Sequence, residues 1–448
     1  MINLEPDTET LAGNIGQSSP LGATVTDGGV NFSLYSRTAT GVELLLFNDV
    51  DDSAPAQVVP IDPSSGRTYH YWHAFVPDIH PGQLYGYRVS GPWAPQRGLR
   101  FDLASILSRD ANGYPIPNPP VLWDIESDPD LADTKLLAEA WDAAGLYQVG
   151  SFVGDSWREW NGRFRDDVRD LFRCEPGSAR RIADRIVGSP EIYGHKGREV
   201  EQSVNFVTCH DGFTINDLVS LNDKHNGANG EGNRDGASDN RSWNCGAEGQ
   251  TDDPQIERLR NRQVKNFLTV TMLSLGVPMI AMGDEVRRTQ HGNINAYCQD
   301  NEISWFDWSL LEKHADVLRF VRLLTARRVL RTTEHERRRV SLVQLLAEAN
   351  ESWHGVKLNQ PDWNEESCSL AQLRSEGLHF HLILNAYREP LEFELAHLDT
   401  GPWRRWIDTA LDSPDDIVPW DSTPAIPTDT YLAESHSVVM LIAGGLAT

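Results

Sequence analysis

The chain is short of positive charge. Its 448 residues hold 40 lysines and arginines against 65 acidic residues, a formal net charge of −25. Phosphate backbones and anionic membranes are held by clustered Lys and Arg, so this balance excludes nucleic acid and membrane surfaces as partners. A neutral polymer such as a glucan stays open, and the acidity otherwise serves solubility. Cysteine is scarce too. Cys174, Cys209, Cys245, Cys298 and Cys368 are odd in number and form no CxxC pair. That pattern predicts neither a disulfide framework nor a zinc site, and no metal or cofactor is expected. The N-terminus MINLEPDTETLAGN lacks the basic start and apolar core of a secretory signal. Long apolar runs are missing as well. The longest, Phe267–Met282, is broken by Gly276 and Pro278 and is short for a bilayer span. It reads as a helix ending at Gly276, then a buried strand. A soluble, cytoplasmic protein is expected.

What is present changes rhythm along the chain. Residues 8–98 read as a β-sandwich. GGVNFSLYS puts Val30, Phe32 and Leu34 on one face, the period-2 pattern of a half-buried strand. VELLLFND, YHYWHAFVP and QLYGYRVSG follow at short spacing between Gly, Pro, Asp and Ser breakers. Over 99–335 strand-like runs alternate with helical ones: TKLLAEAW, QSVNFVTCHD, QVKNFLTVTMLSLG and VPMIAMGDE. Val317, Phe320, Val321 and Leu324 then recur at helical spacing. Such alternation implies a parallel sheet wrapped by helices. Over 336–448, LHFHLILNAY, PLEFELA and SHSVVMLIAG predict an all-β domain. The segment Asn222–Asp253 is almost devoid of apolar residues. A long loop directly after an active-site strand reads as a binding loop, ahead of disorder or of a calcium loop whose EF-hand pattern is not met.

Three carboxylates end strand-like runs: Asp102 in LRFD, Glu139 in KLLAE and Asp211 in NFVTCHD. Each alone would be a helix cap. Three in succession, with Arg100 and His210 beside two of them, suit the active face of a (β/α)8 barrel, where strand ends converge. Paired carboxylates suit glycoside hydrolysis: one is the nucleophile, the other keeps a proton near neutral pH through an apolar wall or a neighbouring charge. Ala140 and Trp141 are placed to wall Glu139, and Arg100 to hold the nucleophile ionised. Several of the 14 tryptophans flank these motifs, offering flat faces for sugar rings. Trp305 and Trp308 in ISWFDW are expected in the core instead.

At these residues the chain resembles the α-amylase superfamily. LRFDLAS, LLAEAWDAAGLYQVG and NFVTCHDGFTINDLVS look like its second, third and fourth signature regions. WNGRFRDDVRDLFR, HNGANGEGNRDGASDNRSWNCGAEG and GNINAYCQDNEISWFDW are similar to bacterial glycogen debranching enzymes of the isoamylase type, as are the opening sandwich (glycogen-binding type) and the C-terminal motifs WHGVKLNQPDW and WRRWIDTALDSPDD. The resemblance implies that Asp102 is the nucleophile and Glu139 the general acid. It makes Asp211 the third carboxylate gripping the sugar, with Arg100 and His210 as partners of the nucleophile and the sugar. Trp141 is the expected aromatic beside them. It implies hydrolysis of α-1,6 branch linkages in glycogen or a limit dextrin. Two other readings stand beside it: an inactive α-glucan-binding remnant, and a related α-glucan hydrolase or transferase of different bond specificity.

One signature is missing. The resemblance requires a first region of the type DVVYNHT before the nucleophile, and no Asn-His pair in such a context precedes Asp102. The expected architecture is therefore an N-terminal β-sandwich (8–98), a (β/α)8-type barrel lacking about its first three βα units (99–335) and a C-terminal all-β domain (336–448). The sandwich exit and the nucleophile strand of such enzymes share an R-F-D core, so in-frame fusion between two short repeats explains the hole. A partner chain or oligomer completing the barrel is the alternative.

Overall fold

Alternating apolar side chains build the first unit, Met1–Gln96. In the computed structural model two sheets face each other. One runs in the order Glu9–Thr10, Gln57–Ile61, Gly41–Phe47, Leu84–Ser90, the other Asn14–Ile15, Tyr71–Pro77, Gly29–Tyr35, Gly22–Thr26. Val30, Phe32 and Val76 of one sheet meet Leu44, Leu46 and Val59 of the other in a shared core, the geometry of a sandwich. The structure describes residues 9–444 except 11–13, 27, 37–38, 50–51, 53, 91–97, 129–130, 132–133, 155, 196–197, 336–345, 347–349 and 376–377. The exit segment PWAPQRG lies, up to Arg97, outside the described residues.

The second unit, Arg97–Thr448, begins with five parallel strands that follow chain order: β1 (Gly98–Phe101), β2 (Lys135–Ala138), β3 (Trp157–Trp160), β4 (Ser203–Asn205) and β5 (Val277–Pro278). Among the described residues β1 and β5 each pair with one strand, so the sheet is open. Several helices cover it. Asn161 caps α1 (Gly162–Phe172) by accepting the Phe164 N–H at 2.9 Å. Asp253 caps α2 (Pro254–Leu273), whose proline sits at the first turn, where no N–H is needed. In α3 (Ala315–His335), Val317, Phe320, Val321 and Leu324 are all buried, as their spacing predicts. After α2 the chain turns at Gly276 (φ +123°), where a Cβ would lie 2.7 Å from the Asn205 amide. Only glycine lets β5 come this close to β4.

The C-terminal residues form an antiparallel sheet ordered Asn350–His354, Ser369–Ser375, His379–Asn385, Ser437–Ala443, Arg404–Asp408, with a two-stranded ribbon of Leu391–Glu394 and Thr430–Ala433. One face of the sheet puts Leu382, Leu384, Trp406, Val438 and Met440 into the same core as Phe164, Phe267 and Phe320 of the helices. The segments expected as separate domains at 99–335 and 336–448 thus form one unit. Buried Lys265 of α2 strengthens the seam, reaching Asp316 at 2.8 Å and Asp416 at 2.7 Å.

Three expectations are corrected. VPMIAMGDE keeps only Val277–Pro278 as strand, and Met282 is 89% exposed, because the chain leaves the sheet at once for a short helical turn at Asp284–Val286. Trp305 and Trp308 are surface residues, 60% and 72% exposed; the Trp305 indole N–H donates to Asp300 at 3.0 Å and Trp308 meets Phe306 edge-on within its own loop. Cys174, just past α1, is joined to Cys368, just before a strand of the C-terminal sheet, with Cα atoms 5.2 Å apart. A single pair 194 residues apart has no local spacing to betray it; packing of helices on sheet brings it together. Alkylation of the denatured, unreduced protein should label Cys209, Cys245 and Cys298 only, and all five cysteines after reduction. Replacing Cys174 and Cys368 by serine should cost about 2–4 kcal/mol in urea unfolding.

Candidate active site

The register of β1 against β2 pairs Arg100 with Leu137 and Phe101 with Ala138. The pairing continues one step past both strands: the Glu139 N–H donates to Phe101 O at 2.9 Å, and the Ala104 N–H to Glu139 O at 2.9 Å. Asp102 and Glu139 are therefore brought side by side on adjacent strand ends, about 5 Å being the usual strand separation. His210 and Asp211 arrive from the segment after β4. One donor atom each from Asp102, Glu139 and His210 lie within 4.8 Å of one another.

The two faces of this cluster differ in water access. Asp102 and Asp211 have half-exposed side chains (53% and 54%), whereas Glu139 is 1% exposed. Arg100 Nη2 reaches Asp102 Oδ2 at 2.8 Å, and the guanidinium lies 4.1 Å over the ring of Trp160 at the end of β3. That stack orients the fork. His210 Nε2 is 3.2 Å from the same Asp102 oxygen and 3.7 Å from Asp211. Its Nδ1 faces Arg100 Nη2 at 3.3 Å.

Burial pushes the Glu139 carboxyl up to about 7; the Leu103 N–H, donated to Oε2 at 2.8 Å, opposes the shift, while Asp102 and Asp211 add to it. Leu103 adopts φ +46° to aim that N–H, a left-handed strain costing on the order of 1 kcal/mol. Partial burial also raises Asp211, His210 opposing and the charges of Asp102 and Asp235 adding. The arrangement holds a proton at Glu139 while Asp102 sits beside a guanidinium. A cation at these donors would displace the Glu139 proton and compete with Arg100 for Asp102, so the set suits proton transfer better than metal binding.

The site rests on a rigid support. Arg109 forks onto Asp142 at 2.5 and 3.1 Å, and Asp142 accepts the Ala144 and Leu146 N–H groups, which sets the turn after Glu139. Beneath, Glu159 and Arg198 pair at 2.6 Å with almost no exposure. Of the residues expected at the site, Arg100, Asp102, Glu139, His210 and Asp211 come together. Trp141 adjoins Glu139 through its N–H on the Glu139 carbonyl (2.8 Å), and its half-buried ring stacks on Tyr147 at 5.8 Å. Not foreseen were Leu103 as donor, Trp160 as the platform of Arg100, and Asp235 as a nearby charge. Trp160 was findable as the residue ending the next strand; the other two depend on backbone path.

Because the native state of Glu139 binds its proton more tightly than the unfolded chain, stability should fall as pH rises from about 4.5 to about 7. Glu139→Gln removes this term. In urea unfolding the variant should gain about 2–3 kcal/mol over wild type between those pH values, at 1.36 kcal/mol per unit; a pH-independent difference would refute the buried proton.

Residues 20–104 match the family model of carbohydrate-binding module 48, the isoamylase N-terminal domain. The match runs through β1 and Asp102. The chain is 43% identical over 371 residues to the glycogen operon protein GlgX homolog of Mycobacterium tuberculosis, covering 77% of this chain and 50% of the relative. It is 39% identical over 416 residues to Isoamylase SU1, chloroplastic, of Zea mays, covering 86% and 52%. The chain thus spans about half the length of these curated relatives. Among solved structures, GBS pullulanase SAP (solved with maltotetraose) has a TM-score of 0.51 at 11% identity, covering 96% of this chain and 88% of that one. The pullulanase of Bacillus acidopullulyticus has 0.50 at 12%, covering 94% and 75%. At that identity they bear on fold alone. By sequence the chain belongs to the isoamylase and GlgX family.

Proposed function

We propose that this chain descends from, and carries the catalytic set of, a glycosidase that hydrolyses α-1,6 branch linkages of glycogen or a limit dextrin with retention. The observation that carries the reading is the pair of unlike carboxyl groups, half-exposed Asp102 and buried Glu139, whose oxygens lie within 4.8 Å. Retaining enzymes hold their two carboxyl groups about 5 Å apart, whereas inverting ones leave room for a water. Asp102 attacks the anomeric carbon while Glu139 gives its proton to the leaving oxygen. A covalent glycosyl ester forms. Glu139, now ionised, takes a proton from water, which displaces Asp102. Arg100 and His210 hold Asp102 in place, and Asp211 grips the sugar hydroxyls. Trp141 adds an aromatic wall. The N-terminal sandwich binds the glucan. Among the described residues no helix is long and apolar enough to cross a membrane, and a cytoplasmic location is part of this reading. The Cys174–Cys368 link pulls the other way, since reducing compartments keep thiols free.

The same reading includes a truncated barrel. Five parallel strands stand where eight would close. The carbohydrate-module match, residues 20–104, takes in strand Gly98–Phe101 and Asp102 just after it, the overlap that fusion at a shared R-F-D core would leave. A cleft walled on one side orients its substrate poorly, and free strand edges invite pairing with a partner. The second reading, a glucan-binding remnant, rests on that open sheet. Purified chain should co-sediment with glycogen yet release reducing ends near background. Strong release abolished by Glu139→Gln would refute the truncation; failure to co-sediment would refute the binding role. Resequencing the gene across codons 90 to 110 should reveal a longer coding region.

A further inference from the structure

The segment Asn222–Asp253 has almost no apolar residue, yet it is held in one conformation by buried polar groups. Lys224 is 7% exposed, and its ammonium donates to three carbonyls of its own loop: Arg234 at 3.3 Å, Asp235 at 2.8 Å and Gly236 at 2.9 Å. All three donors of the amine are thereby used. Asn226 is fully buried. Its Nδ2 donates to Asp235 O at 3.0 Å, and its Oδ1 accepts the Ile294 N–H at 2.9 Å. Ile294 O in turn accepts the Gly212 N–H at 2.8 Å, next to Asp211. Asn295 Nδ2 donates to Asp235 Oδ2 at 2.6 Å. An unbroken network therefore runs from Asp211 to Asp235.

We propose that Lys224 and Asn226 are positioning residues that set Asp235 as a fourth carboxylate at the rim of the cleft, where it accepts hydrogen bonds from hydroxyls of the glucan ring held by Asp211. This rests on the debranching reading. Asp235 is half-buried, and Asn295 occupies one of its oxygens, leaving lone pairs for a ligand. Its charge is already felt at Asp211. A neutral polyol carries donors but no charge, so a fixed carboxylate suits it.

Amide hydrogen exchange on the full chain tests the lock. Lys224→Met leaves three carbonyls without donors, so residues 226–240 should exchange at least about tenfold faster, with Lys224→Arg restoring part of the protection. Unchanged exchange in Lys224→Met overturns the lock. Asp235→Asn keeps an oxygen for Asn295, so exchange should stay slow. Maltotetraose affinity, followed by tryptophan fluorescence, should fall at least about fivefold, and the acid limb of binding should move to lower pH. Affinity lowered by Asp102→Asn but untouched by Asp235→Asn overturns this proposal alone. Affinity untouched by both, or absent in wild type, overturns the debranching reading and the glucan role of Asp235 together.

Discussion

The site depends on one piece of backbone pairing. Because β1 and β2 are parallel and in register, the residues following Phe101 and Ala138 emerge together. These are Asp102, which stays in water beside Arg100, and Glu139, which turns under the Leu103 N–H into an apolar wall. A one-residue slip would reverse which side chain faces which side. The chemical difference between the two carboxyl groups is thus a property of register and burial, with Arg100, Trp160 and His210 tuning it.

The rest of the second unit keeps that register in place by unusual means for an open sheet. Helices α1 to α3 cannot bury all their apolar surface on five short strands. They share their core with the C-terminal sheet, and Lys265 and the Cys174–Cys368 link tie the two layers. Next to the site, where apolar residues are few, order comes from saturated polar groups. Lys224 and Asn226 act in the loop as a hydrophobic cluster would elsewhere, since each broken bond would strand a buried partner.

Much of this was legible along the chain. The spacing of Val317, Phe320, Val321 and Leu324 reported their burial, because side-chain direction follows local period; the alternation in GVNFSLY reported that of Val30 and Phe32 but not that of Asn31 and Ser33, which are buried as well, and Leu34 is only half-buried. Asp102 and Glu139 were legible for the same reason, since the residue just past a strand's end is released from the sheet; Asp211 was expected at a strand end too, but β4 stops at Asn205 and Asp211 comes from the segment beyond it. Distant pairing was not legible. Cys174 with Cys368, Trp160 under Arg100, and Asp235 near Asp211 join residues with no common local pattern. Trp305 and Trp308 misled because an apolar ring reports a preference for burial, which needs a facing element to satisfy it.

By itself the sequence determined the alternation of strands and helices, which carboxyl groups gather at the site and the family to which the chain belongs, all of which are written in periodicity and in motifs of a few residues. Only the tertiary structure decided that Glu139 is the buried, proton-holding partner of Asp102, that the C-terminal sheet completes the helices' core, and that the buried polar groups of the loop are hydrogen-bonded. The physical reason is common to all three: burial and hydrogen-bond saturation depend on groups that arrive from elsewhere in the chain, and no local stretch records them.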